Sequence, residues 1–251
     1  MMFILLSLLF WILPQNGFAA ELFNDFYSEN SGFLKTQTVA TYFQLRSGLR
    51  ASSDWETYAA TRFGGDTRTA LGADDAIYND NYLFLGLGVD YLGLLPGVRA
   101  VAQVGVSEDM NRKINLGGPD GRFGFMSYHE LHGSSPFYAE IYSEELYVHR
   151  YRNILATVQA RILQDWFVLN TGGRSRRLVL SPLANFVLSA DSEGLDYNRF
   201  AEARLGFRLS LNGPITFILN PYYALGTRWE RPTDYPTYQD FRLLVVAAAA
   251  F

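Results

Sequence analysis

Arg46, Arg50, Arg99, Arg161, Arg204, Arg208 and Arg228 fall on the polar side of segments that alternate apolar and polar residues. Glu140, Glu144 and Glu202 share those sides, as do Tyr138, Tyr142 and Tyr222. Guanidinium is a planar fork that matches carboxylate and phosphate, and tyrosine adds a stacking face with a hydroxyl at its tip. Two kinds of chemistry follow. One is a conduit whose wall holds sugars by stacking and by hydrogen bonds to their hydroxyls. The other is a charge network that fills and stiffens a narrow interior.

Other chemistry finds little material. The histidines are His129, His132 and His149, no nucleophile motif accompanies them, and the chain is read as a non-enzyme with no catalytic residues. His129 and His132 have no partner set for a metal, so no metal and no cofactor are expected. The segment from Phe63-Gly64-Gly65-Asp66 through Asp74-Asp75 to Asn79-Asp80-Asn81-Tyr82 is rich in carboxylates and amides, but it lacks EF-hand spacing and reads as a solvated loop. A net charge of -4 gives no sign of a nucleic-acid partner. Cysteine is absent, which excludes both disulfides and a lipoprotein anchor.

The elements that must position these side chains are strands. Aromatic residues make up 16% of the chain and charged ones 18%, a balance suited to sheets. Ala201 to Leu211 is the clearest case: Ala201, Ala203, Leu205, Phe207, Leu209 and Leu211 on one face, Glu202, Arg204, Arg208 and Ser210 on the other. Turn signals at Pro96-Gly97, Gly117 to Gly121, Asn212-Gly213-Pro214 and Arg231 to Asp234 separate such runs. Strands are expected near 37–50, 54–63, 80–93, 97–107, 121–131, 136–148, 151–163, 177–190, 195–211, 214–229 and 236–251, with a weaker one near 166–172. Pro182 and Pro221 fall inside strands, where each removes a ladder donor, and predict bulges.

The two ends of the chain carry the localisation signals. Phe3 to Leu13 is almost wholly apolar, too short to cross a bilayer as a helix but of signal-peptide length, and Gly17 and Ala19 permit cleavage after Ala19. The last strand carries Phe241, Leu243, Val245, Ala247, Ala249 and Phe251 on one apolar face. A final strand of this kind pairs with the first to close an outer-membrane barrel, and its terminal aromatic resembles the signal read by the barrel assembly machinery. Val246, Ala248 and Ala250 are apolar too, so the other face of that end is expected to meet packed side chains.

The expected fold is therefore all-β: a closed antiparallel transmembrane barrel of about 12 strands, with 10–16 admissible. It comprises a cleaved signal peptide (1–19), a short periplasmic segment or extra strand (20–36) and the barrel (37–251). This division carries a conflict. It places the long stretches 64–79 and 109–120 on the periplasmic side, where turns should be short, unless a strand lies within 21–36.

The run Trp55-Glu56-Thr57-Tyr58, Thr61 to Asp66, Ile77 to Tyr82 and Gly86-Leu87-Gly88 resembles the C-terminal barrel domain of the bacteriophage adsorption protein A family. Phe137 to Glu140, Tyr147 and Tyr151-Arg152-Asn153 fit as well, and the resemblance covers roughly 40–251. That family is similar to the barrels of exopolysaccharide secretion systems, in which a periplasmic helical-repeat region feeds polymer to the barrel. The resemblance implies an outer-membrane pore for polysaccharide export, with outer-membrane lipid and a separate helical-repeat protein as partners. The alternatives are a surface receptor or structural barrel with a blocked lumen, and an outer-membrane lipid or peptide hydrolase.

Overall fold

The computed structural model describes residues 20–67, 81–110, 117–133, 136–170, 177–193, 199–228 and 237–250. The segment 1–19, read from sequence as a signal peptide, Phe251 and most of the acidic stretch before Tyr82 lie outside the described residues.

The strands are β1 (Glu21–Phe33), β2 (Thr38–Arg50), β3 (Trp55–Asp66), β4 (Tyr82–Leu95), β5 (Val98–Asp109), β6 (Gly118–His132), β7 (Phe137–Val148), β8 (Asn153–Gln164), β9 (Phe167–Asn170), β10 (Arg177–Asp191), β11 (Phe200–Asn212), β12 (Ile215–Arg228) and β13 (Thr237–Ala250). All pairings are antiparallel. β13 pairs with β1 from Asp25↔Ala250 to Phe33↔Arg242, which closes the sheet on itself. Closure matters because an open backbone group in hydrocarbon costs several kcal/mol.

β8 and β9 lie on the same flank of β10, against Leu183–Asp191 and Arg177–Leu180 respectively. They form one broken stave, so the barrel has 12 staves. The break at Asp165-Trp166 sits opposite Ser181, next to Pro182, which has no N–H to offer a ladder. There the Trp166 N–H donates to the Leu180 carbonyl at 3.0 Å, and the Ser181 hydroxyl donates to Asp165 at 2.8 Å. Pro221 behaves differently from the expected bulge. Its register with β13 is unbroken at Pro221↔Leu243, and only the pairing toward β11 lapses, between Gly206↔Tyr222 and Leu209↔Leu219.

The barrel begins at Glu21 and not at residue 37, because the segment expected to be periplasmic or an extra strand is the stave β1. This removes the sidedness conflict. The connections 34–37, 67–81, 110–117, 149–152, 192–199 and 229–236 lie at the end away from both termini. Those at the termini's end are 51–54, 96–97, 133–136, 171–176 and 213–214, so the longest connections gather at one end.

The period-two pattern separates the two faces. Leu45, Leu85, Val104, Phe125, Ile162, Leu205 and Phe217 are exposed on the outside. Phe241, Leu243 and Val245 of β13 join them there, while Val246 is buried on the inside. An apolar outer wall of this extent belongs in lipid. Inside, three tyrosine rings lie over the glycines paired with them across neighbouring strands: Tyr58 over Gly88, Tyr82 over Gly64 and Tyr238 over Gly226. A Cβ on those glycines would come within 2.3, 2.7 and 2.2 Å of the rings, so glycine makes the space that lets bulky side chains fill the interior.

Candidate functional site in the barrel interior

The inner wall is organised around charge pairs. On β2, Arg46 bridges Asp25 of β1 and Asp90 of β4, the latter at 2.7 Å, and its guanidinium lies 4.8 Å from the Tyr58 ring centre. Tyr58 donates to the other oxygen of Asp90 at 2.6 Å and accepts from the Gln103 amide at 2.7 Å, whose carbonyl accepts from Arg62. Arg99 lies 3.6 Å from Asp90. A continuous relay of hydrogen bonds thus runs from Arg62 to Asp25 across five staves.

A second centre is Glu140 on β7, which accepts from Arg161 at 3.0 Å and from both terminal nitrogens of Arg208 at 2.5 and 2.9 Å. A third is Glu202 on β11. Arg204, Arg242 at 2.8 Å and the Tyr238 hydroxyl at 2.8 Å all converge on it. Charge-assisted bonds of this kind are the strong ones, and a buried carboxylate needs them.

Of the remaining residues singled out from sequence, Arg50 reaches Glu56 at 2.7 Å and Glu21 at 3.5 Å near the termini's end. Tyr138 donates to Asp165 at 3.2 Å, and the Arg228 guanidinium lies 5.8 Å from the Tyr238 ring centre. All of these lie on the inner face. His132 sits at the barrel's end, 2.6 Å from Glu130 and stacked on Tyr138.

Two identical tripeptides meet on opposite walls. Tyr27-Ser28-Glu29 lies on β1 and Tyr142-Ser143-Glu144 on β7, half the barrel apart. In each, the tyrosine donates to the glutamate two residues on, at 2.6 Å. Tyr142 is within electrostatic reach of Tyr27 and Tyr42, Tyr27 of Arg161, and Arg204 of Glu29. The two walls therefore approach one another at mid-barrel.

Several of these charges are buried, while Tyr27, Glu29, Tyr142 and Glu144 at mid-barrel are half-buried. Asp90 is 1% exposed, Arg62 2%, Glu202 3% and Glu140 8%. Apolar residues complete the filling: Phe23, Ala60 and Phe84 beside Tyr58, and Val101, Leu146 and Val148 with Met126 and Leu155 against them. A cleft of about 860 Å³ lies instead on the outer wall, with Ala201 and Ala203 as floor between Phe186, Leu188 and Leu225. Among the described residues, no group of three potential metal ligands stands together.

Asp25, Arg62, Asp90, Gln103, Asp240 and Arg242 complete the network and were not legible as partners from sequence. Their one available signal is the phase of each strand, which puts them on the same face as the arginines already identified.

The fold defines a closed transmembrane β-barrel whose inner wall carries paired charges. No family model matches the chain, and no curated protein matches it. Among solved structures, it is similar to the beta domain of the Bordetella autotransporter BrkA (12% identity, 92% of this chain and 99% of that one, TM-score 0.43). It is also similar to an outer membrane channel from Pseudomonas putida F1 (12%, 92% and 95%, 0.42) and to a bacterial polysaccharide outer membrane secretin (8%, 91% and 98%, 0.39). Likeness at this level assigns no function.

Proposed function

We propose that this chain is a Gram-negative outer-membrane barrel with a closed interior, a non-enzymatic scaffold anchored in lipid that acts as a surface receptor. Its working surface is the set of longer connections 67–81, 110–117, 192–199 and 229–236. Short turns of outer-membrane barrels face the periplasm and long ones the outside, which directs these connections outward. The observation that carries the closed reading is the burial of the interior charges. An open aqueous pore would leave Glu140, Arg208 and Glu202 wet, and here Glu140 is spent on Arg208 and Arg161, and Glu202 on Arg204 and Arg242. Single-channel recording in planar bilayers tests it. The wild-type protein is expected to give no conductance steps, and regular steps would overturn the closed reading.

A second reading is favoured by the opposed Tyr-Ser-Glu segments. Tyrosine faces and carboxylates on two walls suit a polysaccharide strand, and the phage adsorption protein A barrels that the sequence resembles are similar to those of exopolysaccharide export systems. In this reading the segments part while polymer passes, fed by a separate periplasmic helical-repeat protein. Polymer-dependent current in the same recordings supports this reading against the first.

A further inference from the structure

Buried guanidinium groups need a counter-charge, since an unpaired buried ion costs several kcal/mol. Most inward arginines have one. Arg46, Arg161, Arg204, Arg208 and Arg242 each contact a carboxylate within 3.0 Å. Arg62 and Arg122 make no such contact; the carboxylate within electrostatic reach of Arg122 is Asp120, which accepts from the backbone N–H groups of Gly121 and Arg150. Arg62, 2% exposed, donates to the neutral oxygens of Gln103 and Gln44 and lies beside the Tyr42 hydroxyl, and its Nη1 has no partner. Arg122 donates to the Tyr82 hydroxyl at 2.7 Å, and its Nε has no partner. An orphaned Nε recurs on the paired arginines 46, 208 and 242, so it decides nothing alone; the orphaned Nη1 is peculiar to Arg62.

The two groups belong to one place. Arg62 on β3 donates to Gln103 of β5, whose cross-strand partner on β6 is Arg122, and Arg122 holds Tyr82, whose ring sits beside Gly64. Tyr82 accepts from Arg122, which leaves its own O–H free to donate. Nearby, the positive charges of Arg46 and Arg99 are matched by Asp25 and Asp90, so they do not neutralise this pair.

We propose that Arg62, Arg122 and Tyr82 form a buried site for a small inorganic oxyanion of the sulfate or phosphate type. The Nη1–H of Arg62 and the Nε–H of Arg122 have no acceptor, the Tyr82 hydroxyl is left to donate, and the two guanidiniums carry two positive charges against the single carboxylate of Asp120. Oxyanions accept several charge-assisted bonds at once, which matches this donor set. The bound ion supplies the missing counter-charge and ties β3, β4 and β6 together.

The full-length mature protein in detergent, melted at constant ionic strength in sodium chloride with increasing sodium sulfate or inorganic phosphate, tests this. A ligand that binds only the folded state raises the melting midpoint. Sulfate also stabilises folds generally, so the reading is the difference between variants. Arg177→Gln, at an exposed site, is expected to keep the full wild-type response. Arg62→Gln and Arg122→Gln are expected to lose the specific part, and Arg62→Gln to melt above wild type in chloride alone because it removes an uncompensated charge. Gln103→Glu, which places a carboxylate where Arg62 already donates, is expected to raise the chloride midpoint and abolish the sulfate response. Equal sulfate responses in wild type, Arg62→Gln and Gln103→Glu would overturn the site, as would a lower chloride midpoint for Gln103→Glu.

Discussion

Arg208 of β11 clamps Glu140 of β7 with both terminal nitrogens, at 2.5 and 2.9 Å, reaching over β8 and β10 to do so. Arg161 of β8 holds one of the same oxygens at 3.0 Å. One carboxylate therefore neutralises two guanidiniums and fastens a quarter of the barrel circumference. Glu140→Ala removes both contacts and strands one buried cation, Arg208, and one half-buried one, Arg161. The expected loss is about 3–5 kcal/mol of unfolding free energy, the range for breaking a buried pair from one side. Urea unfolding in lipid vesicles measures it, and a loss under about 1 kcal/mol, the scale of exposed pairs, would show that these groups are wet.

The opposed Tyr-Ser-Glu segments lead to a prediction about current. Tyr27 and Tyr142 each spend their hydroxyl on a glutamate of their own strand, at 2.6 Å, so their rings stand across mid-barrel without tying the walls together. The double change Tyr27→Ala with Tyr142→Ala removes two rings and no ion pair. Its expected outcome is small conductance steps where wild type gives none, with a urea midpoint lowered by the lost ring packing. Silence from this variant would place the block elsewhere, at the apolar cluster of Val101, Leu146 and Val148.

How much of this could be read from sequence depends on the strand. β11 alternates cleanly because Leu205, Phe207 and Leu209 face lipid while Glu202, Arg204 and Arg208 face inward. β1 does not alternate. Its outward positions include Asn24, Ser28 and Asn30, and these are satisfied locally: Ser47 donates to Asn24 at 2.7 Å, Asn30 to Ser28 at 3.4 Å and Thr41 to Asn30 at 3.0 Å. Polar groups that satisfy one another erase the pattern that marks a lipid-facing strand, so β1 could be given only as an alternative. The interior had a different obstacle. Strand phase puts an arginine on the inner face, but which carboxylate it meets depends on register across several staves. That is why Arg46 was legible and its partners Asp25 and Asp90 were not.

Gly88 tests how tightly the interior is filled. Tyr58 lies over it and uses its hydroxyl to join Asp90 and Gln103. A methyl group at this position would come 2.3 Å from the ring, well inside van der Waals contact. Gly88→Ala must therefore tilt Tyr58 and loosen both hydrogen bonds. A destabilisation of about 1–3 kcal/mol is expected for such overpacking. The double variant Gly88→Ala with Tyr58→Phe should lose little more than the single one, since the hydroxyl contacts are already gone. Full additivity in urea unfolding would mean that the ring and the glycine are independent.

The outer wall supplies a prediction that depends on depth. Leu205 sits midway along β11 and is 63% exposed, whereas Leu211, on the same face, stands beside the 213–214 turn. If this wall meets hydrocarbon, a charge costs most at the bilayer centre, where water is farthest. Leu205→Arg is expected to lose about 2–4 kcal/mol and Leu211→Arg about 0–1 kcal/mol in reversible folding into lipid vesicles. In a barrel surrounded by water, both changes would relieve an exposed apolar side chain and cost nearly nothing. The gap between the two sites, more than either value, reports lipid, because a local packing defect gives no reason for the loss to fall toward the strand end.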